Sequence, residues 1–410
     1  MIMKVAIINT VIGTGSVGRI ACGTADEIMK NGGEVLLCRG RGEEIEGYVN
    51  YRVGSDPDMF LHGILTRITD KHGLYSKGAT HHLIKKLVEF NPDVIQLHNI
   101  HGYYVNYPIL FDWLKSCNRP VVWTLHDCWS FTGHCVHYEY CGCDKWEKGE
   151  CSDCPEKSEY PASYIKDASK SNMALKKKYF TSVPGLHLVT PSEWLKDALS
   201  RSILKDYPVQ VINTGIDLEI FRPMDSDIRE KYGIGDKTLL LGVANPWRER
   251  KGLYDFGILY RMLEERFPGQ YAMAMIGLKP SHMEELPEGI IKIIHTESVE
   301  ELACWYSAAD IYVNLTYGDT FPTTNLEALG CGTPVITYAS GGSGEAVTGE
   351  TGRVVDKGDL EGVIRAAEDF RAAYKNNETE SLRAGCMALA RARYKKQDKY
   401  REYYELYQKI

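Results

Sequence analysis

The densest chemistry in this 410-residue chain sits in two segments of its carboxyl half. The first, Asn245-Pro246-Trp247-Arg248-Glu249-Arg250-Lys251-Gly252, follows the apolar run Leu239–Val243 and leads into a helical pattern. Cations at a strand end, beside a helix N-terminus, make an anion site from side-chain charge and unpaired N–H groups. The second, Gly318-Asp319-Thr320-Phe321-Pro322-Thr323-Thr324-Asn325-Leu326-Glu327, also follows an apolar run. Pro322 suits the first turn of a helix, which leaves N–H groups near Thr323 and Thr324 to meet phosphate. Asp319 precedes that helix and Glu327 lies inside it, so both carboxylates can face a ligand at different depths. Taken singly, the first segment also suits a solvated basic loop, and the carboxylates a cap and a surface Glu.

Two other clusters could do chemistry. Gly13, Gly15 and Gly18 form G-x-G-x-x-G after the first apolar run, the spacing that lets a backbone approach a pyrophosphate. The acidic residue expected about 20 positions on is missing; the second run ends in Arg39-Gly40-Arg41, which would at most suit a 2′-phosphate. The loop reads as a glycine turn touching phosphate or sugar through Gly15 and Ser16, with NADP-dependent oxidation as the competing chemistry. Six of the 12 cysteines fall between Cys128 and Cys154, and Cys151-Ser152-Asp153-Cys154 is a C-x2-C knuckle. Four thiolates in so tight a span favour a closed tetrahedral zinc site. Cys135, Cys143, Cys151 and Cys154 are the expected ligands, with Cys141 as a substitute; unligated thiols and disulfides are the alternatives. No catalytic metal is expected. Asp56-Pro57-Asp58 and Asp225-Ser226-Asp227 read as turns or caps beside proline.

These residues need a scaffold. Val5–Ile8, Val35–Cys38, Val94–Leu97, Val121–Leu125, Leu186–Val189 and Val209–Ile212 read as buried strands separated by helical stretches. After an irregular Asn213–Pro223 the pattern restarts, with strands at Leu239–Val243, Met273–Gly277, Ile290–Ile294, Ile311–Leu315 and Val335–Tyr338. Continuous apolar strands alternating with helices mean parallel sheets covered on both faces. The expected fold class is α/β: two doubly wound parallel-sheet domains facing across a cleft. Their expected extents are 1–215, with a Cys-rich insertion at 128–160, and 216–392. A helix at 393–410 follows, with a possible crossing back to the first domain.

Composition removes whole classes. An apolar fraction of 44% and a charged fraction of 25% exclude disordered and fibrous chains. A net charge of −7, all of it from the second half, argues against nucleic-acid binding. No window is long and apolar enough to span a bilayer. Met1–Ile8 reads as a first strand rather than a signal peptide, so the cysteines point to a cytoplasmic, reducing location. Lys176-Lys177-Lys178 with Tyr179 and Phe180 closes a helical stretch that could rest on anionic lipid on the cytoplasmic face, or form a solvated face.

In their joint order the motifs resemble glycosyltransferase family 4, retaining enzymes of the GT-B architecture with nucleotide-sugar donors. They run from the glycine loop to Thr124-Leu125-His126-Asp127, Asn213-Thr214-Gly215-Ile216-Asp217 and Arg250-Lys251-Gly252. Asp319-x7-Glu327, Gly332-Thr333-Pro334-Val335 and Gly341-Gly342 complete the series. Leu97-His98-Asn99-Ile100-His101-Gly102 and the Gly-His-Cys to Cys-x-x-Cys-Pro run look like the subgroup that builds bacterial surface polysaccharides. The resemblance implies donor-diphosphate contact by Lys251, ribose contact by Glu327, and sugar contact by Asp319, in a position the family usually gives to Glu. Phe321, Pro322, Thr323 and Thr324 would line the donor, and His126 the sugar's reacting face. His98, Asn99 and His101 would lie on the acceptor side. Many members carry Arg where this chain has Asn245, so Arg248 or Arg250 must supply a second cation. UDP is the favoured nucleotide, from family frequency, and a glycan or lipid-linked acceptor the expected partner. The rival readings are the NADP-dependent oxidoreductase, a nucleotide-sugar epimerase on the same fold, and a zinc-ribbon binding module.

Overall fold

The computed structural model describes residues 2–410. Contacts divide the chain into two compact units, Met1–Asn213 with Gln397–Ile410, and Thr214–Lys396. The first unit contains β1 (Lys4–Val11), β2 (Glu34–Arg41), β3 (Val49–Arg52), β4 (Val94–Leu97), β5 (Val121–Thr124), β6 (Leu186–Thr190) and β7 (Val209–Val211). They form one parallel sheet in the order β3-β2-β1-β4-β5-β6-β7. The second unit contains β8 (Thr238–Val243), β9 (Tyr271–Ile276), β10 (Ile291–Ile293), β11 (Ile311–Asn314), β12 (Val335–Tyr338) and β13 (Gly352–Val355). Their order is β10-β9-β8-β11-β12-β13, again all parallel. Each half is thus a doubly wound α/β body, as the alternation of apolar runs and helices requires.

Both faces of the first sheet are covered. Ala6 and Ile8 of β1 enter one apolar cluster with Leu36 and Leu97, while Val5 and Ile7 enter another with Val35 and Leu37. Alternate side chains of one strand therefore serve two cores. The second core takes Tyr403, Leu406 and Tyr407 from the last helix, Lys396–Lys409. That helix explains a polar residue inside an apolar strand: Gln96 of β4 is fully buried, and its Oε1 accepts the Tyr407 hydroxyl at 2.9 Å while its Nε2 donates to Thr124 at 2.8 Å. Between β5 and the helix Ser169–Phe180 the chain is irregular apart from a short turn at Trp129–Phe131. This stretch holds the clustered cysteines.

Candidate functional site

In the second sheet the strand order reverses between β8 and β11. Open α/β sheets bind ligands outside the carboxyl ends of the strands at such a switch point. The loops leaving β8 and β11 there are laced together. Tyr317 N–H donates to the Arg250 carbonyl at 2.8 Å, the Arg250 guanidinium donates to the Gly318 carbonyl, and Lys251 Nζ pairs with Asp319 Oδ2. Gly252 makes this approach possible: its φ is +76°, and a Cβ there would sit 2.4 Å from the Leu315 carbonyl oxygen.

The helix Thr323–Gly330 starts immediately after Pro322, and no side chain caps it, so its first N–H groups give the loop a positive edge. Asn325 fixes the helix in place. Its Oδ1 accepts from Asn314 Nδ2 at 2.7 Å, and its Nδ2 donates to the Ser343 carbonyl at 2.9 Å. Glu327, only 8% exposed, accepts the Tyr306 hydroxyl at 3.0 Å. Phe321 is buried, so that its backbone is what it can offer a ligand. The structure therefore gathers Arg250, Lys251, Asp319, Phe321, Pro322, Thr323, Thr324 and Glu327 at one switch point. Two cations and a helix start can hold a polyanion, and the carboxylates can hold hydroxyls.

The first sheet reverses between β1 and β4; His98 and His101 follow β4, and His126 follows the neighbouring β5. His98 N–H continues the ladder to Ile8 O at 2.9 Å. Asn99 is held by its neighbours: its N–H donates to Asn9 Oδ1 at 3.1 Å and its carbonyl accepts Thr10 Oγ1 at 2.9 Å. His98 Nδ1 lies 3.0 Å from His126 Nε2 with the rings stacked. Burial pushes His126 down to about 4 and His98 well below its usual value, so both are neutral near pH 7 and one donates to the other. His101 Nε2 meets Asp127 Oδ2 at 2.9 Å, and its Nδ1 meets the Tyr160 hydroxyl at 3.1 Å. Gly15 and Ser16 are exposed at the start of the helix Gly15–Lys30, in this same unit. The structure thus groups His98, Asn99, His101 and His126 in one unit and the switch-point cluster of Arg250, Lys251, Asp319 and Glu327 in the other.

Asp127 titrates anomalously. Burial alone would raise its pKa, but the charge and hydrogen bond of His101 and the Trp129 N–H outweigh it and hold the carboxyl at about 2. Its contribution to stability is therefore present above its ordinary value of 3.8 and lost as the pH falls through about 2. Asp127→Asn is expected to lose about 2 kcal/mol at pH 7, with the deficit closing between about pH 4 and pH 2. Urea unfolding of parent and variant across that range measures it; a deficit independent of pH would mean that Asp127 acts through packing.

Asp127, Tyr160 and Tyr306 had no role from sequence. Asp127 stands next to His126 in the motif, a signal that was legible. Tyr160 and Tyr306 reach their partners across 59 and 21 positions, and nothing local announces that.

Three expectations need correction. Cys135, Cys143, Cys151 and Cys154 do line one small cavity, with His134 and Lys145. Yet among the described residues no group of three or more Cys, His, Asp or Glu is arranged to hold a metal ion, so structural zinc is not supported. The thiols are free and turn to other partners. Cys135 hydrogen-bonds to Cys154, whose thiol that contact helps to hold at about 7, and Cys151 Sγ accepts the Gly133 N–H at 3.2 Å. Cys141 instead donates to the Tyr138 carbonyl at 3.2 Å. Of the basic run only Lys177 and Lys178 are exposed: Lys176 is 1% exposed, donates to the Trp129 and Thr132 carbonyls at 2.5 and 2.9 Å, and lies 3.8 Å over the Trp129 ring, which narrows the face to two lysines. Of Arg39-Gly40-Arg41, offered for a 2′-phosphate, Arg39 is buried and bonded to Gly42 O and Asn50 Oδ1, which leaves Arg41 alone exposed for the oxidoreductase reading.

Comparison with known proteins agrees with this geometry. The family model for Glycosyltransferase Family 4 matches residues 17–220, and that for Glycosyl transferases group 1 matches residues 237–371. The putative colanic acid biosynthesis glycosyl transferase WcaC of Escherichia coli is 25% identical over 333 residues, spanning 78% of this chain and 77% of its own. A D-inositol 3-phosphate glycosyltransferase of Kribbella flavida is 32% identical over 166 residues, 36% of this chain and 39% of its own. Among solved structures, sucrose-phosphate synthase of Thermosynechococcus elongatus superposes with a TM-score of 0.72 at 17% identity, covering 99% of this chain and 98% of that one. Anabaena Alr3699/HepE in complex with UDP-glucose gives 0.68 at 14% identity, with both chains fully covered. At such identities the structural matches speak for the two-domain fold.

Proposed function

Since the chain belongs to glycosyltransferase family 4, we propose that it moves a sugar, with retention, from a nucleotide-sugar, a UDP-sugar by preference, to a glycan or lipid-linked acceptor in polysaccharide biosynthesis. The observation that carries this is the second-unit switch point. There Lys251, Arg250 and the uncapped helix at Thr323 concentrate positive potential beside Asp319 and Glu327. The WcaC relative and the UDP-glucose complex of the Anabaena neighbour support the acceptor class and the nucleotide.

Breaking the bond between the anomeric carbon and the diphosphate builds negative charge on the departing oxygen. Fixed cations and helix N–H groups stabilise that charge more than they stabilise the bound donor, which is what lowers the barrier. In the retaining reading the acceptor oxygen bonds the anomeric carbon on the face the diphosphate leaves, and the acceptor proton goes to the diphosphate. Glu327, oriented by Tyr306, takes the ribose hydroxyls; Asp319 takes the sugar hydroxyls once the diphosphate claims Lys251. The family resemblance assigns His126, neutral and held by His98, to the sugar, and Gly15 and Ser16 to the donor.

Thermal unfolding with UDP, GDP, ADP, NAD and NADP tests the assignment. A nucleotide at about 100 times its dissociation constant adds about 2.7 kcal/mol, and so raises the midpoint by about 5 to 10 °C. A rise with UDP that disappears in Lys251→Ala is expected. A rise with NADP alone would overturn the reading, and one with GDP alone would replace UDP and keep the rest.

A further inference from the structure

The helix Asp56–Thr69 presents its sides in an unusual sense. Its buried residues are His62, Gly63 and Thr66, whereas Phe60, Leu61, Ile64 and Ile68 are 72, 56, 38 and 40% exposed. Positions 60, 64 and 68 follow one another along a single stripe, with 61 beside it. A second exposed apolar pair adjoins the helix end: Tyr164 and Ile165, 66 and 68% exposed. The segment is fastened there by Tyr164 N–H to Arg67 O at 2.8 Å and Lys166 N–H to Ile68 O at 3.2 Å. Six large apolar side chains thus share one surface, more than the single exposures normal on a soluble protein.

The rim of this patch is basic. Arg67, Lys71, Lys166 and Lys170 are all exposed around the helix end and the attached segment. The carboxylates of the helix and its attached segment already have partners: Asp56 pairs with Arg52, Asp58 accepts from Ser55, Asp70 is buried against His134, and Asp167 accepts the N–H groups of Cys154 and Ser169. A local excess of cations on a chain of net charge −7 marks an anionic partner.

We propose that this face of the first unit docks on the surface of an anionic phospholipid bilayer. The apolar stripe enters the boundary between headgroups and acyl chains, and the four cations meet the lipid phosphates. Tyr164 has the amphipathic ring that favours that depth. Among the described residues no helix is long and apolar enough to cross a membrane, so the contact is peripheral. The buried side of the same helix leads to the histidines. His62 packs edge-on to Tyr103 at 5.8 Å, Tyr103 lies 6.0 Å from Tyr160, and the Tyr160 hydroxyl meets His101. One helix, about 10 Å across, and these ring contacts separate the patch from the residues read as acceptor-side, so docking would bring a lipid-linked acceptor toward them. That last step rests on the proposed function; the docking itself does not.

The test is flotation of the full chain with vesicles of phosphatidylcholine alone or with about a third phosphatidylglycerol. Binding to the phosphatidylglycerol vesicles, weakened by high salt, is expected. Phe60→Gln with Ile165→Gln, and separately Lys166→Glu with Lys170→Glu, should each lower the bound fraction at least about tenfold while the nucleotide-induced thermal shift persists. Equal binding to both vesicle types, or binding unmoved by the apolar pair of substitutions, overturns the proposal. So does a concentration-dependent dimer that the same pair abolishes, because the face would then be a self-association surface. Lipid binding in a chain that shows no nucleotide shift would support docking and remove only its link to the acceptor.

Discussion

Lys251→Ala is expected to lower kcat/KM for sugar transfer by about 10²- to 10³-fold, the loss found when one preorganised charge or donor is removed from a developing anion, while the melting temperature moves by a few degrees at most. Lys251 sits on the short turn Glu249–Lys251, with its side chain 23% exposed against an Asp319 side chain 18% exposed. Removing the ammonium leaves Asp319 with the Phe321 N–H, 3.2 Å from Oδ1, as a remaining partner. The fold should therefore tolerate the change better than the chemistry does. Arg250 holds the loop from the other side through its carbonyl and guanidinium, so the backbone stays in place and the charge alone is lost. Lys251→Arg separates charge from shape: it restores a cation but presents a planar fork where a compact point charge stood, and should recover part of the rate. Release of nucleoside diphosphate from the sugar nucleotide identified by thermal shift reads all three proteins. Activity of the alanine variant within threefold of the parent would mean that the diphosphate is held elsewhere.

The strands were legible because burial on both faces leaves few polar residues to blur them, Gln96 being one. β4 and β5 are each four consecutive buried residues. The switch-point cluster of the second unit was legible for a different reason: glycines, proline and charged residues mark strand ends locally, and the switch-point rule says which ends matter. β3 was missed because it is a short edge strand, Val-Asn-Tyr-Arg, half in solvent. The helix Asp56–Thr69 was missed although its apolar residues recur at 60, 64 and 68; periodicity shows such a stripe but not the direction it faces, and here it faces outward. Lys176 shows the same limit from the other direction. Three consecutive lysines read as surface, yet helical geometry turns one of the three inward, where two carbonyls and a ring accept it. Spacing put the cysteines together, as it should. What it cannot supply is the direction in which each sulfur points, and that decides whether four thiols converge on an ion or turn to other partners.

The largest stability effect is expected at a residue with no catalytic role. Asp70 ends the helix Asp56–Thr69 in the left-handed conformation, φ +58°, and is fully buried. Its Oδ1 pairs with His134 Nδ1, its Oδ2 accepts the Ala168 N–H at 2.7 Å, and its carbonyl accepts Asn172 Nδ2 at 2.6 Å. One side chain thus ties the helix to the cysteine-rich stretch and to the start of the helix Ser169–Phe180. Burial would depress His134, but the hydrogen bond and charge of Asp70 outweigh it and raise its pKa. Asp70→Ala leaves a buried imidazole without its counter-charge and a buried N–H without an acceptor, a defect of about 3–5 kcal/mol. Spread over a body of this size, that lowers the melting temperature by about 6 to 20 °C. Asp70→Asn keeps the left-handed turn accessible and an oxygen for Ala168, so it should lose less; the gap between the two variants measures the turn and the N–H bond. The pH dependence has a definite sign. Because His134 is raised in the folded state, the ionic part of the Asp70 contribution is full below the ordinary histidine value of 6.5 and fades as the pH climbs through the raised one. The difference between parent and Asp70→Ala should therefore narrow on the alkaline side without closing, since the Ala168 and turn terms do not titrate. A difference that widens instead would place the stabilising charge somewhere other than this pair.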